Sequence, residues 1–505
     1  MKPHTWVFFV LIFLLYILTL RGIAGNPQIR DVASLEKIGS PFENSIERGR
    51  YILALSLLNN KSVAMPFKDV YAARPDIGVH EGKFYTLFTA GVSAAVIPLY
   101  LLGSLVQLGQ VAAYMTVVLI AVFNSFMLYK MQRDMFGLSW AASLFGSVMF
   151  SLATNAWSYG ITLYQHHFVT GCLLVSVYSV WRFGNSSKTT YAAQAAVSLG
   201  LCSFFDEIST VFTLPVIAYF FWKVKHTHRL PRMRAKIYVF VVSLAAVTIM
   251  HAVYNWALFG SAFKVTGMIA RWREVEQLMI ENNVGISEAT RQELSVKKYG
   301  GILQISVVPA GLITLLLSPD RGLFIFSPIL LYMIFGFAGI GRSAADKRRS
   351  EYVVCLSLAL LVTIVYSAWG DAAGGWAFGP RYMIPAVAFI IPFVVRGIQA
   401  QLSEGTAAAM QAHFLLVALL AGYSTLVSSL GAVTTNLIPA QSYVEHINRG
   451  GYNFMLNLKY LGDGLSGSFF YNTWLAFIPL WLYLEILLCI AMSIQIYLLS
   501  RMAHK

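Results

Sequence analysis

The chain has 505 residues, of which 57% are hydrophobic and only 12% charged, and its mean hydropathy is +0.64. Apolar stretches of membrane-spanning length recur along its whole length, which excludes a soluble enzyme and points to a polytopic helical membrane protein embedded in the lipid bilayer. The formal charge of +14 does not imply a nucleic-acid partner, because the basic residues cluster in short connections between apolar stretches, where they orient the chain.

In chain order, the first apolar stretch, Trp6 to Leu20, has no small-residue cleavage site behind it and reads as a retained signal anchor. The longest basic connection, residues 223–236, carries six Lys or Arg and is expected in the cytoplasm. The connections at 130–133, 182–188, 342–349, Arg396 and 501–505 join it there under one arrangement only, with both termini cytoplasmic. About twelve crossings then fall near 5–22, 110–129, 138–156, 164–181, 189–205, 208–223, 236–257, 322–341, 351–369, 382–398, 411–432 and 473–498. Two more apolar stretches, 86–106 and 302–318, cannot cross without inverting the basic loops. Their internal Pro98 and Pro309 suit re-entrant or interfacial segments on the outer side. The expected fold class is therefore all-α, a single polytopic transmembrane bundle. Its outer face carries a long first loop (23–109) with juxtamembrane helices, a loop at 259–321 holding one re-entrant segment, and a last loop at 433–472.

Loops held by a rigid scaffold carry function, so candidate chemistry lies on that outer face. In the first loop, Tyr51, Ile52, Leu55 and Leu58 follow Glu47 at helical spacing and predict an amphipathic helix along the membrane surface. Glu47, near its aqueous start, is a helix-dipole partner or a general base. Asp76, His80 and Glu81 precede the first non-crossing stretch, as a site wall or an ordinary exposed loop. His166 and His167 stand at the outer end of a crossing, but adjacent helical residues point about 100° apart, so one ion is hard for both to face. Asp206 and Glu207 interrupt two apolar stretches; a carboxylate pair at membrane depth suggests function, whereas an outer turn would simply solvate it.

Three outer arginines, Arg74, Arg321 and Arg381, have forks suited to a lipid phosphate, though each alone could snorkel at the interface. Arg381 follows Gly374, Gly375, Gly379 and Pro380, a loop whose glycine amides could approach an anion. Trp376 and Trp369 could stack on a sugar or pack on lipid. The four cysteines, Cys172, Cys202, Cys355 and Cys489, lie in apolar stretches without paired spacing, so neither a disulfide framework nor a zinc site is indicated.

Five segments, ERGRYILALSLL (47–58), DIGVHEGKFYTLFTAG (76–91), YNWALFGS (254–261), LLSPDRGLFIFSP (316–328) and GGWAFGPRY (374–382), occur in an order that resembles the C-type membrane glycosyltransferases. That superfamily includes protein O-mannosyltransferases and lipid A aminoarabinose transferases. The resemblance implies a polyprenyl-phosphate-linked sugar donor, an outer-face site, and an acidic base in the first loop. The acceptor would be a hydroxyl on a glycan, lipid or protein. In relatives the base is an Asp in an Asp-Glu-x-x-Tyr pattern; here Glu47 holds that place, followed by Arg48, with Asp76 in reserve. The residues 88–91, FTAG, also depart from a Lys-Pro-Gly pattern. By this resemblance Arg381, Arg321 and Arg74 hold the donor phosphate, and Trp376, Gly375, Gly379, His166, His167, Asp206 and Glu207 line the substrate. The arginines can supply the positive charge, so no cofactor is called for; a divalent metal is compatible but not indicated. A lipid-linked glycan ligase, a transporter or flippase, and a noncatalytic envelope-assembly subunit are the competing classes.

Overall fold

The computed structural model describes residues 3–227, 233–266, 303–340, 348–439, 442 and 451–503. The centre of the basic loop at 223–236, nearly all of that at 342–349, and the middle parts of the outer loops 259–321 and 433–472 lie outside the described residues.

The helices of eight residues or more are α1 (Pro3–Thr19), α2 (Ser45–Asn59), α3 (Ala90–Ser104), α4 (Gly109–Asp134), α5 (Trp140–Leu152), α6 (His166–Ser186), α7 (Thr189–Phe205), α8 (Leu214–Thr227) and α9 (Arg234–Phe259). They continue with α10 (Val308–Leu316), α11 (Met333–Ile340), α12 (Arg349–Ser367), α13 (Ile384–Ser403), α14 (Ala407–Val433), α15 (Asn453–Gly462) and α16 (Leu480–Ala503). Seven described helical stretches are long and apolar enough to cross a membrane by length and composition, and five shorter apolar helices accompany them. The chain is thus an integral membrane protein with an all-α framework.

The helix ends segregate into two sets. At one end the basic connections meet: Lys223 pairs with Glu351 at 2.6 Å, Arg348 donates to the Phe136 carbonyl at 2.7 Å, and Arg396 donates to the Tyr352 hydroxyl at 2.7 Å. At the other end the long loops meet. Arg21 and Glu43, both with fully buried side chains, pair at 2.7 Å, and Glu43 also accepts from the Thr435 hydroxyl at 2.6 Å and the Asn436 amide at 2.7 Å. This buried ion pair ties the end of α1 and the first loop to the chain after α14.

The two Pro-containing apolar stretches stay at the loop-bearing end. Before α3, Thr89 donates to the Phe205 carbonyl at the end of α7; at its other end, Asn26 donates to the Ser104 carbonyl. Fifteen residues rise only about 22 Å, short of a bilayer's hydrocarbon core. Leu102, and Leu105 and Val106 just beyond the end of α3, are exposed. Gln304, before α10, donates to the Ala368 carbonyl at 2.7 Å, and Arg321, beyond it, reaches Ala373 and Gly375 of the same connection. Between them Gly311 rests on the Ser367 carbonyl, where a Cβ would collide, so α10 crosses over the end of α12.

Three features differ from expectation. The first ten residues of α2 that follow Ile46 are buried nearly all round, Glu47 to Ser56, so α2 is an internal helix and not a surface-lying one. It is covered by α3 and by the chain at 71–73, and Gly49 admits Phe88 so closely that a Cβ would lie 2.5 Å from that ring. Glu47 is accordingly at 0% exposure rather than near water. Second, the first loop contains an antiparallel hairpin, β1 (Ile77–His80) and β2 (Lys83–Thr86), with His80 opposite Lys83. Its two turn residues, Glu81 and Gly82, both have positive φ (49° and 71°), the geometry whose twist matches paired strands. Third, the stretch expected at 322–341 is broken into Leu323–Phe326, a 3-10 turn at Pro328–Tyr332, and α11, because Pro328 lacks the amide a continuous helix needs.

Candidate functional site

The Gly-rich connection between α12 and α13 is shaped by its own side chains. Asp371 accepts from the amides of Gly374 at 3.1 Å and Gly375 at 2.7 Å, which turns the loop back on itself. Those two amides therefore serve the loop's conformation and not an external anion. Arg321, 1% exposed, holds the same loop: it pairs with Asp320 at 2.9 Å and donates to the carbonyls of Ala373 and, at 2.7 Å, Gly375. It is a brace. Further along, Phe378 donates to Asn436 at 2.9 Å, Ile438 donates to Trp376 at 3.1 Å, and Tyr159 donates its hydroxyl to the Phe378 carbonyl at 2.7 Å. Gly379, at φ 58°, packs against Asn155, which a Cβ would strike. The loop is thus clamped so that Arg381 is delivered at a fixed place, and half-buried Trp376 flanks it.

Arg381 is 6% exposed and lies over the rings of Tyr164 (4.9 Å) and Tyr382 (5.0 Å), with one donor on the Gly374 carbonyl at 2.7 Å. Tyr382 stacks on Tyr366 at 4.3 Å with 1° between planes, and Tyr366 donates to Asp206 at 3.2 Å. Gln165 also hydrogen-bonds Asp206 and accepts from Arg50 at 2.7 Å. Arg50, 3% exposed, donates as well to the Leu163 carbonyl at 2.6 Å and covers the Phe88 ring at 5.1 Å. His166 stacks on Tyr164 at 6.0 Å and meets Tyr382 edge-on at 5.8 Å. Six elements, α2, the 163–165 turn, the start of α6, the end of α7, the end of α12 and the turn before α13, therefore converge on one cluster.

Its electrostatics are unbalanced. Among the described residues neither Arg50 nor Arg381 has a carboxylate within ion-pair distance, and the Nε of each has no partner. Burial pulls the Arg50 guanidinium down to about 10, against the fields of Asp206 and Tyr164 and with that of Arg381 adding to the effect. It stays protonated at neutral pH. Each guanidinium keeps an unpartnered Nε, and Asp206 and Asp76 act on Arg50 without a direct ion pair, so the cluster offers donors to an anion. Arg50 carried no mark in sequence; the available signal was a second charged residue inside an otherwise apolar helical stretch.

The other candidates scatter around this cluster. Asp76 is half-buried, accepts from the Ser45 hydroxyl, and lies within electrostatic reach of Arg50. Arg74 pairs with Glu36 at 2.6 Å on the outside of the first loop. Glu47 closes the start of α2, accepting from the Asn44 amide at 3.4 Å, and its other oxygen has no partner. Burial, aided by the neighbouring Glu43, raises its carboxyl well above the usual range. His167 points away from His166 into the bundle, its Nε2 2.8 Å from the Ala156 carbonyl and its Nδ1 3.3 Å from the Asn124 amide, so it packs as a core side chain. Glu207 turns away from Asp206 and accepts from the Thr266 hydroxyl at 3.2 Å. Among the described residues no three His, Cys, Asp or Glu side chains are grouped as metal ligands.

No protein-family model matches the chain, and no curated protein matches it. Among solved structures it is similar to ArnT from Cupriavidus metallidurans bound to undecaprenyl phosphate, at 12% identity and a TM-score of 0.48, over 100% of this chain and 78% of that one. It is also similar to the oligosaccharyltransferase AglB from Archaeoglobus fulgidus in complex with an inhibitory peptide and a dolichol-phosphate, at 13% identity and a TM-score of 0.46. There the match covers 96% of this chain and 60% of that one.

Proposed function

We propose that this chain is a membrane glycosyltransferase that moves a sugar from a polyprenyl-phosphate-linked donor to an acceptor hydroxyl at its loop-bearing, extracytoplasmic face, in the cytoplasmic membrane. The observation that carries this reading is the Arg50–Arg381 pair, two buried guanidinium groups without carboxylate partners among the described residues, with Asp76 and Asp206 beside them. The sequence resemblance to C-type transferases supports the same chemistry.

The donor phosphate sits on Arg50 and Arg381, which replace Arg321 and Arg74 in that role because the latter two are engaged by Asp320, loop carbonyls and Glu36. His166, stacked among the same rings, lines the sugar side with Trp376. Asp76 acts as the base in preference to Glu47, since it is half-exposed whereas Glu47 is sealed. The acceptor oxygen attacks the anomeric carbon and its proton passes to Asp76. The bond from that carbon to the phosphate oxygen breaks, and the departing electron pair stays on the phosphate, where the two arginines stabilise it. Back-side displacement inverts the anomeric centre.

The test is turnover of radiolabelled polyprenyl-phosphate sugars by purified protein in lipid nanodiscs, beside Arg50→Ala, Asp76→Asn and Glu47→Gln. Loss in the first two with retention in the third supports the assignment. Wild-type rates in Arg50→Ala would refute the phosphate site, and loss in Glu47→Gln alone would move the base to Glu47.

A further inference from the structure

The Asp206–Glu207 break faces two ways. Asp206 belongs to the anion cluster, but Glu207 accepts from Thr266, which follows α9, a peripheral helix whose main partner is α7. The outward side of α9 is apolar and exposed, with Val253 and Trp256 at 55% and 63%. Its inward side is polar at His251, Tyr254 and Asn255, spaced i, i+3 and i+4 and so on one face. These residues lie about one to two turns from Phe259, up to about 12 Å below the loop-bearing end of the helix. At that depth a polar side chain needs a partner or a purpose.

These three are incompletely partnered. His251 and Asn255 are 9% and 1% exposed, and the Asn255 amide nitrogen lies 3.3 Å from His251 Nε2. An amide donor on Nε2 leaves the imidazole proton on Nδ1. Among the described residues that Nδ1, the Tyr254 hydroxyl and the Asn255 carbonyl oxygen have no partner. The edge of Phe204 meets both rings, with centroids 6.2 Å from His251 and 6.2 Å from Tyr254, and the field of Glu207 reaches the Tyr254 hydroxyl.

We infer that this inward face of α9 is a binding site for a neutral, hydroxyl-bearing headgroup. A hydroxyl both donates and accepts, which is what an unfilled donor beside unfilled acceptors asks for. A phosphate is disfavoured by Glu207, whose field reaches Tyr254, and by the absence of a guanidinium among the residues named; a cation is disfavoured by the Nδ1 proton. The face lies across the Asp206–Glu207 break from Arg50 and Arg381. On the glycosyl-transfer reading it is therefore the place of the acceptor, a sugar-headed or polyol-headed lipid whose hydroxyl is carried towards the donor.

The experiment places the purified full chain in phosphatidylcholine nanodiscs containing monoglucosyl diacylglycerol, diacylglycerol or neither, with soluble methyl glucoside as a separate arm. Thermal unfolding and Trp fluorescence report binding. The glucolipid is expected to raise the unfolding midpoint where diacylglycerol does not, with affinity falling tenfold or more in His251→Phe and Asn255→Leu. The double variant His251→Phe/Asn255→Leu should unfold no lower than wild type in plain lipid, because it removes both partners of their mutual hydrogen bond together with two of the unpartnered buried atoms. A matching response to methyl glucoside keeps the site and makes its ligand a free sugar. No response to either compound, an undiminished response in both single variants, or a double variant that melts lower without any ligand would overturn the inference, the last by showing an internal structural network. Arg50→Ala should keep the glucolipid response and lose that to undecaprenyl phosphate, so failure of the donor site and failure of this one are read separately.

Discussion

Two pairs of buried arginines share the loop-bearing end of this protein and differ in one respect. Arg21 and Arg321 each meet a carboxylate, at 2.7 Å and 2.9 Å, and each ties distant chain segments together. Arg50 and Arg381 are as deeply buried, yet hold only carbonyls, an amide oxygen and aromatic rings. A buried cation with its carboxylate is architecture; one without is, on the proposed reading, the place of the donor phosphate. Burial alone does not separate the two, and the partner does.

That contrast can be broken experimentally. The largest effect should come from Arg21→Ala, which leaves Glu43 buried without its cation and should cost about 3–5 kcal/mol of stability, seen as a lower unfolding midpoint in detergent. Arg381→Ala should do the reverse, lowering turnover by about 10²–10³-fold while the unfolding midpoint stays near wild type. If Arg381→Ala unfolded as easily as Arg21→Ala, the distinction between architecture and site would fall. Asp371→Ala frees the Gly374 and Gly375 amides and should reduce kcat/KM by about tenfold, the equivalent of one hydrogen bond, through misplacement of Arg381.

A subtler effect concerns Glu47. Its carboxyl is raised in the folded state, chiefly by burial, so the folded protein keeps a proton that the unfolded chain releases. The associated stability is present at and below the ordinary carboxylate range and is lost as pH rises through the folded value. Glu47→Gln should remove that decline, so unfolding midpoints of wild type and variant should diverge as pH is raised from the ordinary carboxylate range. Parallel curves would show that Glu47 is not held protonated. The smallest change should follow Arg74→Ala, whose pair with Glu36 is partly exposed and contributes about 1 kcal/mol or less, without loss of turnover.

Much of the framework was legible because bilayer physics is written in composition. Long apolar stretches must become helices, and the placement of basic connections sorts their ends. The hairpin at 77–86 escaped notice because its strands are four residues each and its turn, Glu81-Gly82, lacks the commoner Asn or Asp. The burial of α2 escaped because one helix face was enough to explain its apolar residues, whereas α3 and the 71–73 turn cover the others.

The chain's composition and charge pattern by themselves determined a helical membrane protein whose elaborated loops gather at one end, since hydrocarbon admits few other solutions. They also marked Arg381, Asp76 and Asp206 as polar groups needing an explanation. Only the tertiary structure decided that Arg50 lies within the field of Arg381, that Arg321 is held by Asp320, and that Glu207 meets Thr266 beyond α9 while Asp206 faces the cluster. The reason is physical: a charge's role at low dielectric depends on which group lies within a few ångströms of it, and residues 50, 206 and 381 are brought together by packing that no local pattern encodes.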